Sequence, residues 1–150
     1  MKKFSFSLQT VLELKRHREE ALLEELGRRQ RAAAEAEAAL AAMREKRRRA
    51  QRELRELLTG PLAVERVQEA RDYLSGLDVE LGRRAEQARA RQEEVRECRQ
   101  RVVAAARERK VLERLRDRQW EDYLQEFSRQ EQAFLDELAT QGYARQEQGV

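Results

Sequence analysis

Apolar residues recur at alternating steps of four and three along most of the chain. From Leu8 the stepping reaches Leu12, Lys15, Glu19, Leu22, Leu26, Arg29, Ala33, Ala36, Leu40, Met43, Arg47, Ala50, Leu54 and Leu57, and eleven of these 15 positions are apolar. From Ala63 it reaches Val67, Ala70, Leu74, Leu77, Leu81, Arg84, Ala88, Arg91, Val95, Cys98, Val102, Ala105, Arg109 and Leu112, and here twelve of 15 are apolar. A spacing of about 3.5 residues held over about seven heptads predicts a coiled coil, not the wider apolar stripe of a globular helix. Between the stripes, Thr59-Gly60-Pro61 is the one strong reversal signal: glycine can cap a helix in the left-handed conformation, and proline cannot continue it.

The pattern therefore predicts an all-α fold, an antiparallel two-helix coiled-coil hairpin whose second helix is much longer than the first. It forms a single elongated domain over residues 1–150. Helix 1 is expected over about 7–58, capped by Ser7 with Phe6 and Val11 as a hydrophobic staple. The turn is 59–61, and helix 2 runs over about 62–141, to the stop offered by Gly142. Gly76 and Gly82 lie inside helix 2, where each costs on the order of 1 kcal/mol relative to Ala. The numbers of facing residues should add to about 120, placing Leu26 near Val95 and Leu40 near Leu81.

At the helical rise the two helices are roughly 76 Å and roughly 118 Å long. Helix 2 is thus expected to be unpaired from about 113. There the apolar residues also slip by one position, to Trp120, Leu124, Phe127, Phe134 and Leu138. Large apolar side chains on an unpartnered helix read as a binding surface. The other reading is that Phe4 and Phe6 fold back over part of them, or that contacts between copies do.

Composition narrows the function classes. Charged residues make up 41 % and aromatics 5 %, which fits a long-helix protein, and the regular stripes argue against disorder. The 32 basic and 29 acidic residues nearly balance, so nucleic acid is not an expected partner. The cluster Arg44 to Arg52 reads as solvated surface, with RNA or lipid headgroups as the other reading. Cys98 is the sole cysteine and falls on a stripe, so it reads as a small core residue in a reducing compartment. Met1-Lys2-Lys3 is followed by no apolar run of a signal peptide, and no segment has the length of a membrane span. His17, the sole histidine, reads as surface. No catalytic set, metal-ligand spacing or phosphate loop can be assembled, so no enzyme activity, metal or cofactor is expected.

Both ends carry a further pattern. The N-terminal end reads Phe4-x-Phe6-x-Leu8-x-x-Val11-Leu12-x-Leu14-Lys15. The C-terminal end reads Glu113-Arg114-Leu115-Arg116-Asp117-Arg118, then Tyr123, Glu126, Arg129, Glu131-Gln132, Leu135-Asp136-Glu137 and Tyr143. In these features the chain resembles the flagellar FliJ family of bacterial export-apparatus proteins. The resemblance implies a non-enzymatic stalk or adaptor of the flagellar type III protein export apparatus, active in flagellum biogenesis. Its implied partners are the export ATPase hexamer, the cytoplasmic domain of the export-gate protein and export chaperones. Its implied location is the cytoplasm, held peripherally at the inner face of the cell membrane. By the same resemblance, Tyr73, Leu74, Leu77, Leu81 and Arg84 match the gate contact. Trp120, Tyr123, Leu124, Phe127, Phe134 and Leu138 are the candidates for the ATPase contact. The alternatives are a self-associating structural coiled coil and the equivalent stalk of a virulence secretion system.

Overall fold

The computed structural model describes residues 2–149. Two helices, α1 (Gln9–Thr59) and α2 (Val64–Gln148), account for the secondary structure of these residues. The chain divides into two units, residues 20–103 and residues 1–19 with 104–150.

In the first unit α1 and α2 pack antiparallel. The Cys98 thiol donates to the Leu22 carbonyl at 3.7 Å, Arg101 reaches Glu25, Arg29 reaches Glu94, and Arg47 reaches Asp78. The ion pairs lie a few residues beyond the short thiol contact in register. Helical side chains lean toward their own N-terminus, so two long side chains on antiparallel helices meet only when their backbones are offset. The buried side chains here are Ala33, Leu40, Ala50, Leu77, Ala88, Val95 and Cys98, each on a stripe position. The other stripe positions of this unit are half-buried, apart from exposed Ala63.

The turn departs from expectation. No described glycine has positive φ, so Gly60 is not a left-handed cap. Proline disfavours the helical region for the residue before it and cannot itself continue the helix, which ends α1 at Thr59. The Thr59 hydroxyl donates to the Glu56 carbonyl at 3.0 Å and satisfies one of the terminal acceptors.

In the second unit residues 2–19 run antiparallel to α2 from Ala104 onward. Leu12 and Ala105 are buried, and Lys15 pairs with Glu108 at 2.8 Å. Arg16 pairs with Glu113 at 3.2 Å. Arg109 bridges Glu19 and Glu113. Intrachain contacts therefore reach Glu113, where the sequence placed the end of pairing, and Phe4 carries them on to Trp120. Helix α1 begins at Gln9, whose N–H donates to the Phe6 carbonyl at 3.1 Å, a residue or two after the expected Ser7 cap. Gly142 does not stop α2, which continues to Gln148. One glycine costs only on the order of 1 kcal/mol, and no proline follows to block the helix.

Leu40 is 4 % exposed and Leu23 is 48 % exposed. Leu40→Asp should destabilise the protein by about 3 kcal/mol or more, because it strands a charge in the seam. Leu23→Asp should stay within about 0.5 kcal/mol of the parent. Urea unfolding followed by circular dichroism measures both, and equal midpoints would mean that the stripe is not the core.

Candidate functional site

The N-terminal arm decides how much of the aromatic segment is covered. Phe6 is buried at 7 % exposure and anchors the arm. The Phe4 ring meets Trp120 edge-on, with centroids 5.0 Å apart, and Tyr123 at 5.5 Å. Trp120 stacks on Tyr123 at 5.5 Å, and Tyr123 on Phe127 at 6.3 Å. Residues 120, 123 and 127 share one helical face by their spacing, so α2 itself lines up the three rings. Aromatic pairs at such distances contribute about 0.5–1.5 kcal/mol each beyond area burial.

The cover is partial. Trp120, Leu124 and Phe127 are each 44 % exposed, and Tyr123 is half-buried. All described residues from 124 onward are exposed, Phe134, Leu135, Leu138 and Tyr143 among them. The structure thus gathers Trp120, Tyr123 and Phe127 into one ladder with Phe4. Phe134 and Leu138 lie further along the helix, 61 % and 48 % exposed.

Ion pairs support the site from below. Burial pushes the Glu113 carboxyl up, but hydrogen bonds and charge from Arg109 and Arg16 outweigh it and hold the group below the ordinary range. A hydrogen bond from Lys15, and then that cation's charge, hold Glu108 down.

The mid-chain stretch is a different surface, in the other unit. Tyr73 is half-exposed, Leu74 and Leu81 are half-buried, and Leu77 is buried at 6 % exposure. Leu77 is therefore a seam residue and offers no surface to a partner. Arg84 is half-buried, and its guanidinium is held by Glu80 at 3.1 Å, beside Arg83 at 2.7 Å from the same carboxylate. That clamp, and Val79 at 75 % exposure, escaped the sequence reading. Val79 had a signal: it is a large apolar residue standing off the 74-77-81 stepping.

Two helices packed along heptad stripes define an all-helical coiled-coil protein. Among the described residues no group of acidic, histidine or cysteine side chains has the arrangement to hold a metal ion. The family described as Flagellar FliJ protein matches residues 4–148, and the chain belongs to that family. Membership implies a role in flagellar protein export. Comparisons with curated proteins and with solved structures returned no match.

Two outcomes follow. Phe4→Ala should shift Trp120 emission to the red and increase its quenching by iodide, with helicity unchanged; unchanged emission would mean that the arm does not cover Trp120. The second concerns acid. Glu108 and Glu113 bind protons less readily folded than unfolded, so the stability they add is present above their ordinary pKa and is lost as pH falls below about 4.5. Glu113→Gln should melt below the parent at pH 7, and the gap should close as pH falls through that range. A gap independent of pH would sink this account.

Proposed function

We propose that the chain is a non-enzymatic stalk or adaptor of the flagellar export apparatus, linking the export ATPase hexamer to the export gate and to export chaperones. It acts in the cytoplasm at the inner face of the cell membrane, through the apparatus. The observation that supports this reading is the half-covered ladder Phe4, Trp120, Tyr123 and Phe127, at the start of a stretch of α2, residues 124–148, in which every residue is exposed. Large apolar side chains held in line on a helix suit docking into an apolar groove of a partner. Trp120, Tyr123, Leu124, Phe127, Phe134 and Leu138 serve the ATPase. Tyr73 and Arg84 serve the gate, with Leu74 and Leu81 lying at the edge of that contact.

The uncovered tail also favours a second reading, pairing of tails between two copies. Sedimentation of the purified chain separates the two, since a monomer at working concentration removes the self-association reading.

Burying one such side chain is worth roughly 1.5–3 kcal/mol, and a tenfold change in affinity is about 1.4 kcal/mol. Trp120→Ala with Phe127→Ala should therefore weaken ATPase binding by about a hundredfold or more, with the melting transition retained. Tyr73→Ala with Arg84→Ala should weaken binding to the gate domain and leave ATPase binding intact. Parental affinities in folded double mutants would overturn the assignments.

A further inference from the structure

The turn between α1 and α2 and the last turns of α1 combine two features that the export reading does not use. Leu58, Leu62 and Val64 are 47 %, 70 % and 72 % exposed, three aliphatic side chains within seven residues. Pro61 and Ala63 between them are exposed too. Just before them, Arg44, Arg48, Arg52 and Arg55 recur every three or four residues, so they share one face of α1. All four are exposed.

The local charge is strongly unbalanced. Residues 44–66 hold eight basic side chains against four acidic ones, in a chain whose net charge is only +3. Glu45 takes three guanidiniums at once: Arg48 at 3.4 Å, Arg52 at 3.5 Å and Arg49 at 3.9 Å. One carboxylate cannot neutralise three cations, and their side chains remain 66 %, 63 % and 67 % exposed. Arg48, Arg52, Arg55, Gln51 and Glu45 line a shallow surface groove.

We infer that this end of the residue 20–103 unit docks directly on an anionic lipid bilayer: Leu58, Leu62 and Val64 enter the headgroup boundary while Arg44, Arg48, Arg52 and Arg55 hold acidic headgroups. Basic side chains flanking exposed aliphatic ones are the composition of interfacial membrane anchors. A single-stranded nucleic acid would use the same cations together with aromatic rings to stack bases, and residues 44–66 contain none, whereas the exposed aliphatic side chains beside the cations have no role in gripping a phosphate backbone. The geometry asks for surface contact only, and no described helix is long and apolar enough to cross a membrane.

The test is flotation of the purified full chain with two vesicle preparations, phosphatidylcholine alone and phosphatidylcholine mixed with phosphatidylglycerol. No export component is present, so failure here leaves the adaptor reading untouched. The chain should float with the mixed vesicles at low salt, stay behind with the neutral ones, and lose binding as salt rises. Each basic side chain near an anionic leaflet raises partitioning about fivefold. Arg48→Gln, Arg52→Gln and Arg55→Gln together should therefore reduce partitioning at least tenfold. Leu58→Ser with Leu62→Ser should reduce it by a similar factor at unchanged salt. The proposal is overturned if the parent fails to bind mixed vesicles at low salt, or binds neutral ones equally. It is also overturned if the serine variant binds like the parent, or if the chain binds single-stranded RNA but no vesicle. The wild-type comparison between lipid compositions holds even if a variant misfolds.

Discussion

Two helices in contact can shield only one stripe of each other, and the rest of this structure follows from that limit. A stripe one or two residues wide has no room for a conventional core. The seam is filled by small side chains (Ala33, Ala50, Ala88, Ala105) alternating with larger ones such as Leu12, Leu40, Leu77 and Val95. Charged residues occupy seven stripe positions, and each is ion-paired. Lys15, Glu19 and Arg109 pair in one unit, and Arg29, Arg47, Arg84 and Arg91 in the other. Their aliphatic stems extend the apolar cover while their heads reach water. Exposed pairs of this kind contribute little individually, so apolar burial carries the strength. The pairs between helices matter for register: a slip by one heptad would separate half-buried Glu19 from Arg109, Arg29 from Glu94 and Arg47 from Asp78.

The same limit explains the ends. Where α1 begins, the seam has to be closed by something other than helix, and Phe6 and Phe4 supply the apolar surface. Past Tyr123 nothing covers α2, which rests on local contacts. Gln130 donates to Glu126 at 3.1 Å, Gln141 to Glu137 at 3.4 Å, and the Thr140 hydroxyl to the Asp136 carbonyl at 2.8 Å. Side-chain pairs at this spacing are worth a few tenths of a kcal/mol each, and isolated helices are marginal in water. The segment belongs at the low end of local stability, where binding a partner gains most by completing the burial.

The two stripes were legible because a 3.5-residue period needs no tertiary information: of their 30 positions only Leu8 and Ala63 are exposed. The fate of Phe4 was not, since a contact between residues 4 and 120 depends on the register to within a turn and on the path of an arm without periodicity. At the turn the helix stop read from Pro61 stands, but Gly60 does not use its left-handed freedom, because proline already disfavours the helical region for the residue before it. Gly142 misled because a glycine weakens a helix without ending it when no competing structure follows. In the mid-chain stretch, the stepping identified Leu74, Leu77 and Leu81 as seam and left Val79 off it, but it carried no information on which arginines Glu80 holds.

That last point generalises to where partners can attach. Because the seam takes every regular apolar position, a large apolar residue off the seam is exposed by construction. Single ones, such as Leu23 or Val111, are ordinary surface. Clusters are not, and the described residues hold several, among them Leu58, Leu62 and Val64 at the turn, Tyr73 with Val79, and the rings and leucines from Trp120 to Tyr143. Their electrostatics differ. Eight basic residues face four acidic ones around the turn, whereas residues 124–148 hold five acidic and two basic. Charge of opposite sign suits the two clusters to partners of different electrostatic character. A heptad register commits only the stripe positions to packing, and so leaves the remaining faces of each helix free to differ in charge and apolar character.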